Sequence, residues 1–133
     1  MLERITTFLI DDDLDDQEIF SYILDDASIK AECVFANDGI YALEKIKDAS
    51  FSPHIIFIDI NMPRMNGIDF LKELKKADHL FHVPVYMYST SAEESVVEES
   101  KKLGAAGFIK KNTNVNLAQQ EFQKIFTNHK LLD

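Results

Sequence analysis

Short unbroken apolar runs alternate with longer stretches in which apolar positions recur every three or four residues. The runs cover residues 5–10, 31–35, 54–58, 83–88 and 107–109. They predict five strands, and runs that do not alternate are what strands require when helices cover both faces of a parallel sheet. The first helical stretch carries Ile19, Phe20, Ile23, Leu24 and Ala27 on one face, the spacing of a 3.6-residue period. Asp15 and Asp16 fall near its positive end, where acidic side chains are favoured. A second helix follows the Asn37-Asp38-Gly39 start signal and carries Ala42, Leu43 and Ile46. A third follows Asn66-Gly67 and carries Phe70, Leu71 and Leu74, with Lys72, Lys75 and Lys76 towards its C-terminal end, the distribution that caps and helix dipole favour. The fourth opens on Ser91-Ala92-Glu93-Glu94, a capping-box pattern, and stops near Gly104. The fifth lines up Val115, Ala118, Phe122, Ile125, Phe126 and His129. Strand and helix alternating five times predict one α/β domain on a parallel sheet.

Composition narrows the function. A chain of 133 residues, 46% hydrophobic with 4 Gly and 3 Pro, has room for one packed core and little for a second. Its single cysteine, Cys33, cannot form an internal bridge and reads as a reduced cytosolic thiol. With 14 Lys and Arg against 23 Asp and Glu, the net charge is −9, which repels phosphate backbones and anionic headgroups and argues against direct nucleic-acid or membrane binding. No apolar run approaches the ~18 residues of a membrane span, and acidic Asp11 comes too early for a secretory signal. A cytoplasmic protein is expected.

In an open parallel sheet, ligands bind beyond the carboxyl ends of the strands, so the side chains just past each run are the candidates. Asp11, Asp12 and Asp13 follow the first, Asp59 the third, Ser89, Thr90 and Ser91 the fourth, and Lys110 and Lys111 the fifth; the second offers only Asn37 and Asp38. Carboxylates converging on one rim repel and acquire raised pKa values unless a cation sits among them. An all-oxygen set suits Mg²⁺, which takes one or two carboxylates and keeps waters for a phosphate group. A lysine and a hydroxyl at the same rim would complete a phosphoryl site with an aspartate as acceptor.

Four segments carry a resemblance: Phe8-Leu9-Ile10-Asp11-Asp12-Asp13, Ile58-Asp59-Ile60-Asn61-Met62-Pro63-Arg64-Met65-Asn66-Gly67, Pro84-Val85-Tyr86-Met87-Tyr88-Ser89 and Gly104-Ala105-Ala106-Gly107-Phe108-Ile109-Lys110-Lys111. In that order they resemble the motifs of response-regulator receiver domains over essentially the whole chain. The resemblance implies a flavodoxin-like doubly wound fold with strand order 2-1-3-4-5 and five flanking helices. It implies that Asp59 is the phosphoacceptor, that Asp12, Asp59 and the backbone carbonyl of Asn61 bind Mg²⁺ directly, and that Asp11 assists through water. By the same resemblance Ser89 is the hydroxyl that meets the phosphoryl group, Phe108 the aromatic that turns inward with it, and Lys111 the pairing ammonium. Asn61 and Ser91 match positions that tune dephosphorylation. The implied partners are a sensor histidine kinase or histidine phosphotransfer protein. With residues 1–133 expected to form a single receiver and no output domain, a separate output protein would be reached through helix 4, strand 5 and helix 5.

Two departures stand out. The family has proline after its lysine, often with a cis bond, where this chain has Asn112. Lys110 beside Lys111 makes the pairing lysine a matter of counting; the count from Gly107-Phe108 selects Lys111, and strand alternation sends Lys110 to the other face. Two other functions compete. Ile10-Asp11-Asp12-Asp13-Leu14 also resembles the nucleophile motif of haloacid-dehalogenase-like phosphatases, with Asp11 as nucleophile and Asp13 as acid/base. A receiver-like docking module working without phosphorylation is the other. The histidines, His54, His79, His82 and His129, show no ligand spacing and read as structural or exposed.

Overall fold

The computed structural model describes residues 4–90, 93–111 and 114–132. Five strands, β1 (Ile5–Ile10), β2 (Ala31–Ala36), β3 (Ile55–Asp59), β4 (Val85–Ser89) and β5 (Gly107–Lys110), alternate with five helices. These are α1 (Leu14–Asp26), α2 (Gly39–Lys47), α3 (Gly67–Leu74), α4 (Glu94–Lys102) and α5 (Val115–Asn128). All strand pairs are parallel, in the order β2-β1-β3-β4-β5, so the sheet is the flavodoxin-like one expected, with every strand ending at the same edge. A short 3-10 turn at Asp78–Leu80, between α3 and β4, is not foreshadowed by the periodicity.

Side chains alternate along each strand and divide the interior into two cores. Phe8, Ile10, Ile56, Ile58, Val85 and Met87 point to the layer of α2, α3 and α4. Leu9, Ile55, Phe57, Tyr88 and Ile109 point to the layer of α1 and α5. On the second side the Phe20 ring meets Phe57, Tyr88 and Phe122 edge-on, at centroid distances of 5.2, 5.8 and 5.4 Å, an arrangement that adds to the burial of each ring. His54 is structural here, its Nδ1 accepting the Thr6 N–H at 2.9 Å.

Several predicted helix positions are less buried than their spacing implies. Helix α1 buries Gln17, Phe20, Ile23 and Leu24. Ile19, placed on that stripe from the sequence, is 46% exposed and Tyr22 is 57% exposed. The stripe is narrower than the apolar spacing because Ile19 and Tyr22 flank an open groove beside Val115 instead of meeting the sheet. Ala27, Leu43, Val115 and His129 are half-buried. The predicted capping box of α4 is also corrected. Helix α4 begins at Glu94 with Glu93 as its N-cap and no side-chain cap bond, so Glu94 occupies the first helical position and cannot reach back as the third; Ser91 lies outside the described residues.

Candidate functional site

At the common strand edge, parity decides which side chains meet. Asp11 and Asp59 continue the rows of Leu9 and Phe57, and Lys111 continues the row of Ile109, so all three lean towards α1. Ser89 continues the row of Val85 and Met87, on the side of α2–α4. Lys110 is exposed, on the opposite side of its strand from Lys111.

The loop after β1 is held by its own side chains. Asp11 is fully buried; its Oδ1 accepts the Asp13 N–H at 3.0 Å. Gln17 Nε2 donates to the Asp11 carbonyl at 2.9 Å and to Asn37 Oδ1 at 2.8 Å, tying this loop to the one after β2. Asp13 is the N-cap of α1, its carboxylate accepting from the N–H groups of Asp15 and Asp16. A carboxylate so committed is poorly placed for the acid/base work that the phosphatase reading assigns to it.

Asp59 closes β3 and is 5% exposed. Its Oδ1 accepts the Asn61 N–H at 3.1 Å. Burial pushes its carboxyl up to about 6, opposed by the Lys111 charge and reinforced by Asp11 and Asp12. Burial likewise raises Asp11, with Lys111 and the Asp13 N–H pulling the other way. Asn61 Nδ2 donates to Ser89 Oγ at 3.2 Å, linking the loop after β3 to the end of β4.

Lys111 is anchored through its backbone, whose N–H donates to the Ser89 carbonyl at 2.8 Å. Its Nζ lies 2.7 Å from Asp11 Oδ2, 2.8 Å from Asp16 Oδ2 and 3.7 Å from Asp59 Oδ2. Burial alone would lower its pKa, but Asp11, Asp16 and Asp59 together outweigh it and hold the ammonium above its ordinary range. Phe108 is half-buried against the α2–α4 core. Ser91 and Asn112 lie outside the described residues.

Asp11, Asp12 and Asp59 each present a carboxylate oxygen within 4.8 Å of the others. Asp12 is exposed, and the buried Asp11 Oδ2 has the Lys111 ammonium at 2.7 Å. An all-oxygen trio with one exposed member, open to water on that side, fits a hard divalent cation that keeps several waters. Gly67 shapes the floor: a Cβ there would stand 2.4 Å from the Asp59 carbonyl oxygen and 2.9 Å from Ile60 Cα, so only glycine lets α3 start against the backbone at the end of β3.

Sequence reasoning missed three participants. Asp16 was read only as a charge at the helix start, yet it holds Lys111. Gln17, inside an acidic stretch, gave no signal at all. The Arg64 guanidinium pairs with Asp38 and bridges the loops after β3 and β2; Arg64 has a left-handed backbone, φ 67°, which nothing in the residue type announces.

The family model for the response regulator receiver domain matches residues 7–123. The chain is 34% identical to chemotaxis protein CheY-3 of Vibrio cholerae over 91 residues, 68% of each protein. Among solved structures, the Mn²⁺-bound form of response regulator Rcp1 aligns with a TM-score of 0.79 at 25% identity, covering 92% of both chains. The phosphorylated cyanobacterial phytochrome response regulator RcpA aligns with a TM-score of 0.81 at 27% identity, covering 92% of this chain and 91% of its own.

Proposed function

The chain belongs to the response regulator receiver domain family, and from that premise we propose that it is a phosphorylation switch with Asp59 as its phosphoacceptor. The observation that carries this reading is the convergence on Asp59: Lys111 Nζ at 3.7 Å, the Asp11–Asp12 pair within 4.8 Å, and Ser89 joined to the same rim through Asn61. A carboxylate oxygen of Asp59 attacks the phosphorus of a phosphohistidine on a partner protein. The new P–O bond forms as the donor P–N bond breaks, and the imidazole leaves. The protein supplies position and charge for this step: Asp59 is held by the Asn61 N–H, Lys111 faces the developing negative charge, and the Ser89 hydroxyl donates to a phosphoryl oxygen.

Asp11, Asp12, Asp59 and the Asn61 carbonyl would hold Mg²⁺, which when bound neutralises charge on the transferring group. The Mn²⁺ of Rcp1 supports a divalent ion in such a site. The acyl phosphate biases Ser89 and Phe108 together, and the surface of α4, β5 and α5 changes its affinity for a separate output protein. Asn61 and Ser91 set the rate at which water removes the phosphoryl group. The donor is a sensor histidine kinase or a histidine phosphotransfer protein, and the chain acts in the cytoplasm as a switch and not as an enzyme with turnover. Among the described residues no helix is long and apolar enough to cross a membrane.

The test is intact-protein mass after incubation with Mg²⁺ and a small acyl phosphate. Wild type should gain one phosphoryl mass and Asp59→Asn none. Equal gain in both would place the acceptor elsewhere.

A further inference from the structure

Among the described residues Lys111 has three carboxylate neighbours, and the nearest two do not include the proposed acceptor. Asp11 Oδ2 is at 2.7 Å and Asp16 Oδ2 at 2.8 Å, against 3.7 Å for Asp59 Oδ2. The ammonium thus rests in the contact to Asp16, a directed hydrogen bond, and in the ion pair with Asp11. Asp16 is itself fixed, because its N–H donates to the capping Asp13 carboxylate at 3.2 Å in the first turn of α1. The two close carboxylates also differ in surroundings. The Asp11 side chain is fully buried, while that of Asp16 is 28% exposed, so water can replace the ammonium at Asp16 and cannot at Asp11.

We propose that Asp16 is a positioning residue: it parks the Lys111 ammonium off Asp59 in the resting protein and releases it when a phosphoryl group arrives. While parked, the ammonium leaves the outer face of Asp59 to a divalent cation and to the incoming phosphorus. As phosphoryl transfer takes the site from about one negative charge to about two, the balance tips and Lys111 moves to the phosphoryl group, with Asp16 passing to solvent. The inference rests on Asp59 as the acceptor and adds a residue whose carboxylate favours the resting state.

The two halves of this idea have opposite signs in one variant. In full-length Asp16→Asn the unparked ammonium settles on Asp59 and competes with the cation. Mg²⁺ binding to the unmodified protein, read by calorimetry, should weaken about three- to tenfold, the range for one partly exposed charge-assisted contact. Beryllofluoride, a phosphoryl mimic, added at saturating Mg²⁺ should bind more tightly by a similar factor, because the resting state has lost an ion pair that the occupied state does not use. Asp16→Glu still reaches Lys111 from the same turn and should return both affinities towards wild type. A damaged fold or a purely structural role would weaken both together, and either that result or no change in either would overturn the proposal. Failure of wild type to take beryllofluoride, or equal uptake by Asp59→Asn, would instead remove the acceptor reading and this inference with it.

Discussion

Replacing Asp59 by asparagine should stabilise the metal-free protein, and the size and pH dependence of the gain follow from the site. The Asp59 carboxyl is displaced from an ordinary 3.8 to about 6, chiefly by burial. At about 1.4 kcal/mol per tenfold change in acidity this is about 3 kcal/mol. The folded state binds the proton more tightly than the unfolded state does, so ionising Asp59 opposes folding. The penalty is absent below about pH 4, grows as pH rises, and is complete above about pH 6 to 7. Asparagine keeps the volume and an oxygen to accept the Asn61 N–H, and Lys111 keeps Asp11 and Asp16. In a chelating buffer at pH 7.5, Asp59→Asn should therefore melt higher than wild type by on the order of 10 °C. At pH 4 the two curves should nearly coincide. Thermal or urea unfolding of both proteins from pH 4 to 8 measures the gap. A gap independent of pH, or a variant less stable than wild type at pH 7.5, would refute the reasoning. Added Mg²⁺ should raise wild type more than the variant.

Three further outcomes follow from other parts of the structure. Lys111→Ala should destabilise the metal-free protein by about 3–5 kcal/mol, because it leaves buried Asp11 without its cation; denaturant unfolding with and without Mg²⁺ should show part of the loss restored by the ion. Gly67→Ala should lower stability by about 1–3 kcal/mol, since the added Cβ must displace the Asp59 backbone, and should weaken Mg²⁺ binding measured by calorimetry. Phe20→Ala removes a ring with no exposure that meets three other rings and should lose about 3–5 kcal/mol by urea unfolding, leaving the residues around Asp59 in place.

The strands were legible because unbroken apolar runs have few other uses in a chain this size, and the structure shifts their ends by one or two residues, as at β4, Val85–Ser89. The acids, hydroxyl and lysine were legible because a parallel sheet delivers every strand end to one edge. Counting from Gly107-Phe108, with strand alternation, was enough to put Lys110 and Lys111 on opposite sides. What could not be read was whatever depends on distances between elements. The partnership of Asp16 and Lys111 joins residues 95 apart in sequence, and periodicity along α1 carries no information about what stands opposite. Ile19 shows the same limit: its spacing puts it near the apolar face, but only the position of α5 decides that the sheet does not cover it.

The division of the interior by strand parity gives the domain two ports. Acids and ammonium belong to the α1–α5 layer, while Ser89 and Phe108 open on the α2–α4 layer. Among the links at the rim, the Asn61 side chain donates to Ser89 Oγ and the Lys111 N–H to the Ser89 carbonyl. Were Asp59 phosphorylated as proposed, the change of charge would arise in one compartment and reach the other across this rim, with the sheet as the wall between them.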